Sequence, residues 1–215
     1  MSFDGDTLTL SIDETCVPFP FRLRGRIRVD ADILGTQSHR IDLEGRHLWR
    51  PVMPSARIAV EMSDPQLSWI GHGYFDHNRG SAPLESDFVD WTWARFPLTD
   101  GSAILYDTVP RSSPPVSLAL RYRNDGSSES FDTPRPIELS KTGWRVARHV
   151  RSESEDQTAI RTLEDTPFYA RSIVTARLMG QSVTGMHEAL SLDRFASRWV
   201  QALLPFRMPR RRGWG

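Results

Sequence analysis

The sequence predicts an all-β protein, an antiparallel sandwich or barrel that ends in one amphipathic helix. Three observations predict it: short runs alternating apolar and polar with period two, turn residues between those runs, and a single stretch with helical spacing.

The alternation starts early. Leu23, Ile27 and Val29 alternate with Arg22, Arg24, Arg26 and Arg28, and Ile58, Val60 and Met62 repeat the pattern. Further on, Trp91, Trp93 and Arg95 fall on one strand face, as do Val116, Leu118, Leu120 and Tyr122, and then Trp144, Val146, Arg148 and Val150. At least eight such runs are present, the number expected of half-buried strands in a sandwich or barrel. Asp100-Gly101 and Asn124-Asp125-Gly126 supply turns between neighbouring runs. The proline-rich stretch Val109 to Pro115 reads as an irregular loop. From Leu192 to Leu204 the spacing changes to that of a helix, with Leu192, Phe195, Trp199, Val200, Leu203 and Leu204 on one side. Ser191 is the expected N-cap and Pro205 the stop.

Composition narrows the function. A chain of 215 residues with 39% apolar and 25% charged residues can bury a substantial core and is not disordered. Its 27 basic and 27 acidic residues cancel, which argues against a protein that wraps nucleic acid. Apolar runs fall well short of the ~20 residues a spanning helix needs. The opening MSFDGDTLTL lacks the basic and apolar stretches of a secretory signal. Cys16 is the one cysteine, so neither a disulfide framework nor a cysteine zinc site is expected, and the protein reads as cytoplasmic. The helix and the tail after it carry six arginines against the single Asp193, a basic end suited either to solvent or to an anionic membrane surface.

The densest chemistry lies between Trp69 and Gly80. If that run is extended, His72, Tyr74 and Asp76 share one face, with Phe75 and His77 on the other. Gly71 and Gly73 within it suggest a bulge or a close approach. A carboxylate beside a phenol suits acid–base work, while Asp76 and Asn78 also suit a polar turn. A metal site on His72, Asp76, His77 and Glu85 is not expected, because alternation sends the two histidines to opposite faces. His47 and Trp49 would share a face, and with Trp91 and Trp93 they suit either a core or an apolar ligand site. There is no Gly-x-Ser-x-Gly elbow and no glycine-rich phosphate loop.

The run Gly73-Tyr74-Phe75-Asp76-His77-Asn78-Arg79-Gly80 resembles the Gly-Tyr-x-Asp-His-Asn-x-Gly signature of the carotenoid 1,2-hydratases, also called hydroxyneurosporene synthases. The resemblance extends to His47-Leu48-Trp49-Arg50-Pro51, Trp91-Thr92-Trp93-Ala94-Arg95, Tyr106-Asp107, Asp165 to Ser172, Met186-His187-Glu188 and Leu204 to Arg210. It implies a lipocalin-like β-barrel fold and a cofactor-independent addition of water to the terminal 1,2 double bond of an acyclic carotene such as neurosporene or lycopene. It also implies that Asp76 is the proton donor, with Tyr74, His47 and Trp49 as its partners. Trp91, Trp93, His77 and Trp69 are the expected substrate-lining residues, and His47 or His77 the expected acceptor of the water's proton. Members of that family carry more chain ahead of the His-x-Trp-x-Pro motif. Residues 1–46 are therefore expected to be the remnant of a first barrel, 47–206 the hydratase domain and 207–215 a basic tail. Such a substrate implies a peripheral protein on the inner face of the inner membrane. The alternatives are a lipocalin-like carrier of an apolar ligand and a related pericyclase or cyclase acting on a polyene.

Overall fold

The computed structural model describes residues 1–17, 19–155 and 158–206; the expected basic tail lies outside the described residues. Two long strands organise the first half, β5 (His47–Asp64) and β6 (Gln66–Gly80), paired antiparallel along their whole length. On the other edge of β5, β3 (Arg22–Ile33) pairs with its C-terminal part and β4 (His39–Arg40) with its N-terminal part. Beyond β3 come β2 (Thr7–Thr15) and β1 (Ser2–Asp4), completing a six-stranded sheet. Residues 1–46 thus contribute four strands to the same sheet as β5 and β6.

Period two explains this sheet. Register aligns Leu8 with Val29 and Ile58, and Leu10 with Ile27 and Val60, so one face is apolar across three strands. The arginines of β3 take the other face, where Arg22 and Arg24 pair with Asp13 in solvent, contacts that add little to stability.

A short helix, α1 (Leu84–Asp87), leads into the second sheet. Its seven strands follow the order β10-β9-β8-β7-β15-β14-β13: β7 (Phe88–Leu98), β8 (Gly101–Pro110), β9 (Val116–Arg123), β10 (Ser128–Ser130), β13 (Ala159–Asp165), β14 (Tyr169–Leu178) and β15 (Gln181–Ser191). The Asp100-Gly101 turn joins β7 to β8, and the Asn124 to Gly126 turn joins β9 to β10, as the sequence predicts. One face of this sheet meets β5 and β6. The other is covered by residues 131–152, including the small pair β11 (Pro136–Glu138) and β12 (His149–Arg151), with Phe131, Leu139 and Val150 packed on Phe96, Leu105, Val174 and Leu178. Arg151 ties β12 to the sheet by pairing with Asp107 through both oxygens.

The two sheets form the antiparallel sandwich that the alternating runs predict, and neither closes into a barrel. Three details differ from the sequence reading. Trp144 to Arg148 is not a strand: the Thr142 hydroxyl accepts from the Val146 N–H at 3.1 Å, the Arg145 N–H bonds the Thr142 carbonyl, and Arg145 takes a φ of 61°. Val109 and Pro110 end β8, so the irregular loop begins at Arg111. The C-terminal helix is two pieces, α2 (Leu192–Phe195) and α3 (Arg198–Leu203), because Ser197 is extended and its hydroxyl bonds the Arg194 carbonyl. Leu192 and Val200 are buried, whereas Trp199, Leu203 and Leu204 are exposed.

Candidate active site

Prolines shape the site. Pro51 and Pro54 of β5 have no N–H to give to the ladder. The β5–β6 register slips twice there, between Pro51 and Met53 and between Met53 and Ala56, so that Pro51 opposes Asp76, Met53 opposes Phe75 and Ala56 opposes Gly73. Tyr74 has no partner in the ladder. Gly73 gives Ile58 room here, since a Cβ would lie 2.1 Å from Ile58 Cδ1 and displace that side chain. The bulge leaves the Pro54 carbonyl free to accept from Arg95 Nε at 2.6 Å and from the Ser102 hydroxyl at 3.1 Å, bonds that tie the two sheets together.

Inside this junction Asp76, Tyr74 and Trp49 come together. The fully buried Trp49 donates its indole N–H to Asp76 Oδ2 at 2.8 Å, and the Tyr74 hydroxyl donates to the same oxygen at 3.1 Å. Burial pushes the Asp76 carboxyl above its ordinary range; the Trp49 and Tyr74 hydrogen bonds pull it back, and the charge on Glu188 pushes it up again. Burial also raises the Tyr74 phenol well above its usual value, so it remains a donor. Aromatic rings enclose the carboxyl. Tyr106 meets Trp49 edge-on at 5.1 Å between centroids, Trp91 meets Tyr106 at 5.8 Å, and Trp93 lies 4.8 Å from Tyr74. The Trp93 indole N–H is buried with no hydrogen-bond partner among the described residues.

His47 is buried beside this group but does not touch Asp76. Its Nε2 bonds Asp87 Oδ2 at 2.6 Å, its ring packs edge-on against Phe88 at 4.9 Å, and its backbone N–H is held by Asp42. Gly80 makes room for the ring, since a Cβ there would lie 2.3 Å from His47 Nδ1.

Two expected lining residues lie elsewhere. His77 points to the outer face, where with Ser38, Leu48, Arg50 and Arg79 it lines a shallow cavity of about 180 Å³. Trp69 is half-exposed near the start of β6, paired with Val60, and His72 opposes Arg57 beyond the bulges. Among the described residues no group of three or more His, Cys, Asp or Glu is arranged to hold a metal.

The sequence reading assigned no role to three neighbours: Tyr106, Asp87 and Glu188. Glu188 opposes Trp93 on β7 and Arg171 on β14, and Arg171 Nε donates to its Oε1 at 2.9 Å. The only signal for it was the Met186-His187-Glu188 run, whose alternation puts Glu188 on the inner face and His187 on the outer. Beyond Glu188 the inner faces of β14 and β15 are half-buried, with Ile173, Met186 and Leu190 among them, so the sandwich is open on this side.

A half-buried carboxyl whose pKa is raised by burial, with two donors on one oxygen and aromatic rings around it, can protonate an apolar group and stabilise a cation beside it.

Comparison with known proteins agrees in kind. A family model described as carotenoid hydratase CrtC matches residues 1–215. An acyclic carotenoid 1,2-hydratase of Thiocapsa roseopersicina is 46% identical over 212 residues, covering 98% of this chain and 52% of that one. One from Cereibacter sphaeroides is 35% identical over 216 residues, covering 100% and 77%. The chain therefore spans about half the length of the Thiocapsa relative. Among solved structures, CghA with Sch210972 superposes with a TM-score of 0.52 at 14% identity, covering 87% of this chain and 65% of that one, a likeness of fold alone.

Proposed function

The chain belongs to the carotenoid hydratase CrtC family, and on that premise we propose that it adds water across the terminal 1,2 double bond of an acyclic carotene such as neurosporene or lycopene, without a cofactor. The observation that carries this reading is the Asp76 carboxyl, half-buried and bonded by Trp49 and Tyr74 on one oxygen. With Oδ2 occupied by two donors, the acid proton resides on Oδ1. Transfer of that proton to C2 of the alkene leaves a tertiary cation at C1. The faces of Trp49, Tyr74, Trp93 and Tyr106 stabilise such a cation, by up to about 2 kcal/mol each where water is excluded. Water then adds at C1 and the product is a tertiary alcohol.

His47 acts at one remove. Its bond to Asp87 fixes the start of β5 two residues from Trp49, which in turn aims Asp76. Trp91 and Trp93 line the apolar approach together with Met186 and Leu190. A substrate this apolar is taken from a bilayer, so the protein works at the membrane surface. The exposed apolar residues of α3 and the arginines beside them support such an attachment. Among the described residues no helix is long and apolar enough to cross a membrane.

The test is an assay with lycopene or neurosporene in liposomes, read by product mass. The expected product has gained one water, and Asp76→Asn, with its thermal melt unchanged, forms none. An Asp76→Asn variant that turns over at the wild-type rate overturns the acid role.

A further inference from the structure

Hydration of an alkene needs an acid for the carbon and an acceptor for the proton that the attacking water loses. Neither neighbouring histidine is placed for the second task. His47 Nε2 is bonded to Asp87, and His77 is on the outer face of β6.

A carboxylate faces the same interior as Asp76. Glu188 lies directly opposite Trp93 in the β15–β7 register, so both side chains stand on the inner face. The Trp93 ring is 4.8 Å from that of Tyr74, whose hydroxyl bonds Asp76. Glu188 therefore stands across the aromatic wall from the acid. On its other side Arg171 donates to Oε1 at 2.9 Å while its guanidinium lies 5.6 Å over the Tyr169 ring, which fixes the carboxylate. With 21% of its side chain exposed, Glu188 is within reach of water. The neighbouring inner-face residues Met186 and Leu190 are half-buried, so this is the open side of the sandwich.

We propose that Glu188 is the base of the reaction: its carboxylate orients a water on the open side of the aromatic wall and takes a proton from it as the C1–O bond forms. The proposal rests on the hydratase reading above. Atoms balance: Asp76 gives one proton to C2, the water oxygen bonds C1, and one water proton passes to Glu188. Solvent then returns a proton to Asp76 and removes one from Glu188. The two carboxyls differ in the way this chemistry needs, one held by the Trp49 and Tyr74 donors and the other paired with Arg171. The charge on Glu188 also pushes the Asp76 carboxyl upward, after burial.

The experiment is lycopene hydration in D2O with liposomes, following alcohol formation and deuterium in the recovered carotene. Wild type forms alcohol carrying deuterium at C2. Glu188→Gln is expected to lose roughly 10²–10⁴-fold in alcohol formation while still placing deuterium in recovered carotene, because the cation forms and returns a proton to Asp76. Asp76→Asn does neither. Glu188→Asp, which keeps a carboxylate, regains part of the alcohol lost in Glu188→Gln, and thermal melts report folding of each variant. Glu188→Gln forming alcohol within a few-fold of wild type overturns the base. So does loss of exchange and alcohol together in folded Glu188→Gln, which would put Glu188 in the acid step. Wild type that forms no alcohol overturns the hydratase reading itself, and the base with it.

Discussion

Trp49 and Asp76 meet across the β5–β6 pair at 2.8 Å, indole N–H to Oδ2, and the contact aims the carboxyl while stabilising its charged form. Burial raises the Asp76 carboxyl; the Trp49 and Tyr74 hydrogen bonds oppose that rise because they favour the carboxylate. The acid works protonated, so hydration is lost as pH rises through its pKa. Removing either donor pushes that pKa further up. Tyr74→Phe and Trp49→Phe are therefore expected to lower the maximal rate while moving the alkaline limb of the pH–rate profile to higher pH. A limb that moves to lower pH would show that the two donors do not act on the carboxylate.

Gly80 is expected to matter although it carries no chemistry. A Cβ there lies 2.3 Å from His47 Nδ1, and that ring is pinned between Asp87 and Phe88. It cannot yield without losing the Asp87 bond. Gly80→Ala should cost about 1–3 kcal/mol of stability, as overpacking of a core does, and should reduce hydration through a displaced β5. Gly126→Ala, which meets nothing within 4 Å but sits at a φ of 85°, separates backbone strain from crowding. Denaturant melts of the two variants, with turnover of each, make the comparison; full turnover in Gly80→Ala would remove His47 from the positioning of the site.

Much of this arrangement was legible in the residues. Alternation in β3, β5 and β9 specifies half-buried strands, period two in β6 puts Tyr74 and Asp76 on one face, and Gly73 marks the irregularity beside them. The Trp49 contact was not legible from periodicity, because it depends on a double register slip set by Pro51 and Pro54 across a hairpin. The fate of Trp144 to Arg148 was hidden for a related reason: a threonine-capped turn places Val146 in the core without an extended strand. Helical spacing from Leu192 to Leu204 gave helix but not the break, since the Ser197 hydroxyl competes for a backbone carbonyl.

His187 should make the fold acid-sensitive. It is buried on the outer face of the second sheet, donates Nε2–H to the His149 carbonyl at 2.7 Å, and its Nδ1 has no partner among the described residues. Burial lowers its pKa from 6.5 to about 4. The unfolded chain thus binds a proton that the folded one refuses. Stability is full above pH 6.5 and declines as pH falls toward 4, by about 1.4 kcal/mol per unit of displacement. His187→Gln is expected to flatten that decline in melts between pH 7 and 4. An unchanged slope would mean that His187 takes up its proton in the folded protein as readily as in water.

Asp107 behaves oppositely. Burial alone would raise its carboxyl, but hydrogen bonds from His149 and Arg151 outweigh it and bring the pKa down to about 2. Its contribution is present above the ordinary carboxylate range and is lost as pH falls toward 2. Arg151→Met, which takes the guanidinium away and leaves the carboxylate its His149 bond, is expected to cost about 2–3 kcal/mol, and Asp107→Asn in addition should recover part of that. Additive losses in the double-mutant cycle would deny the pairing.

The apolar residues of α3 divide into two sets, and the division separates folding from membrane attachment. Val200 is buried, while Trp199 is 53% and Leu204 45% exposed, and the Trp199 ring lies 6.3 Å from that of the exposed Trp144. Exposed surface adds little to folding, so Trp199→Ser with Leu204→Ser should move stability by no more than about 0.5 kcal/mol. If these side chains enter a bilayer interface, each contributes about 1.5 kcal/mol or more. The double variant should then lose roughly a hundredfold or more in partitioning to anionic liposomes. Val200→Ala should do the reverse, lowering the melting midpoint and leaving partitioning of the folded protein unchanged. Co-sedimentation that is equal for wild type and the double variant would move the attachment to another surface, such as the exposed Leu67, Trp69 and Ile70 of β6.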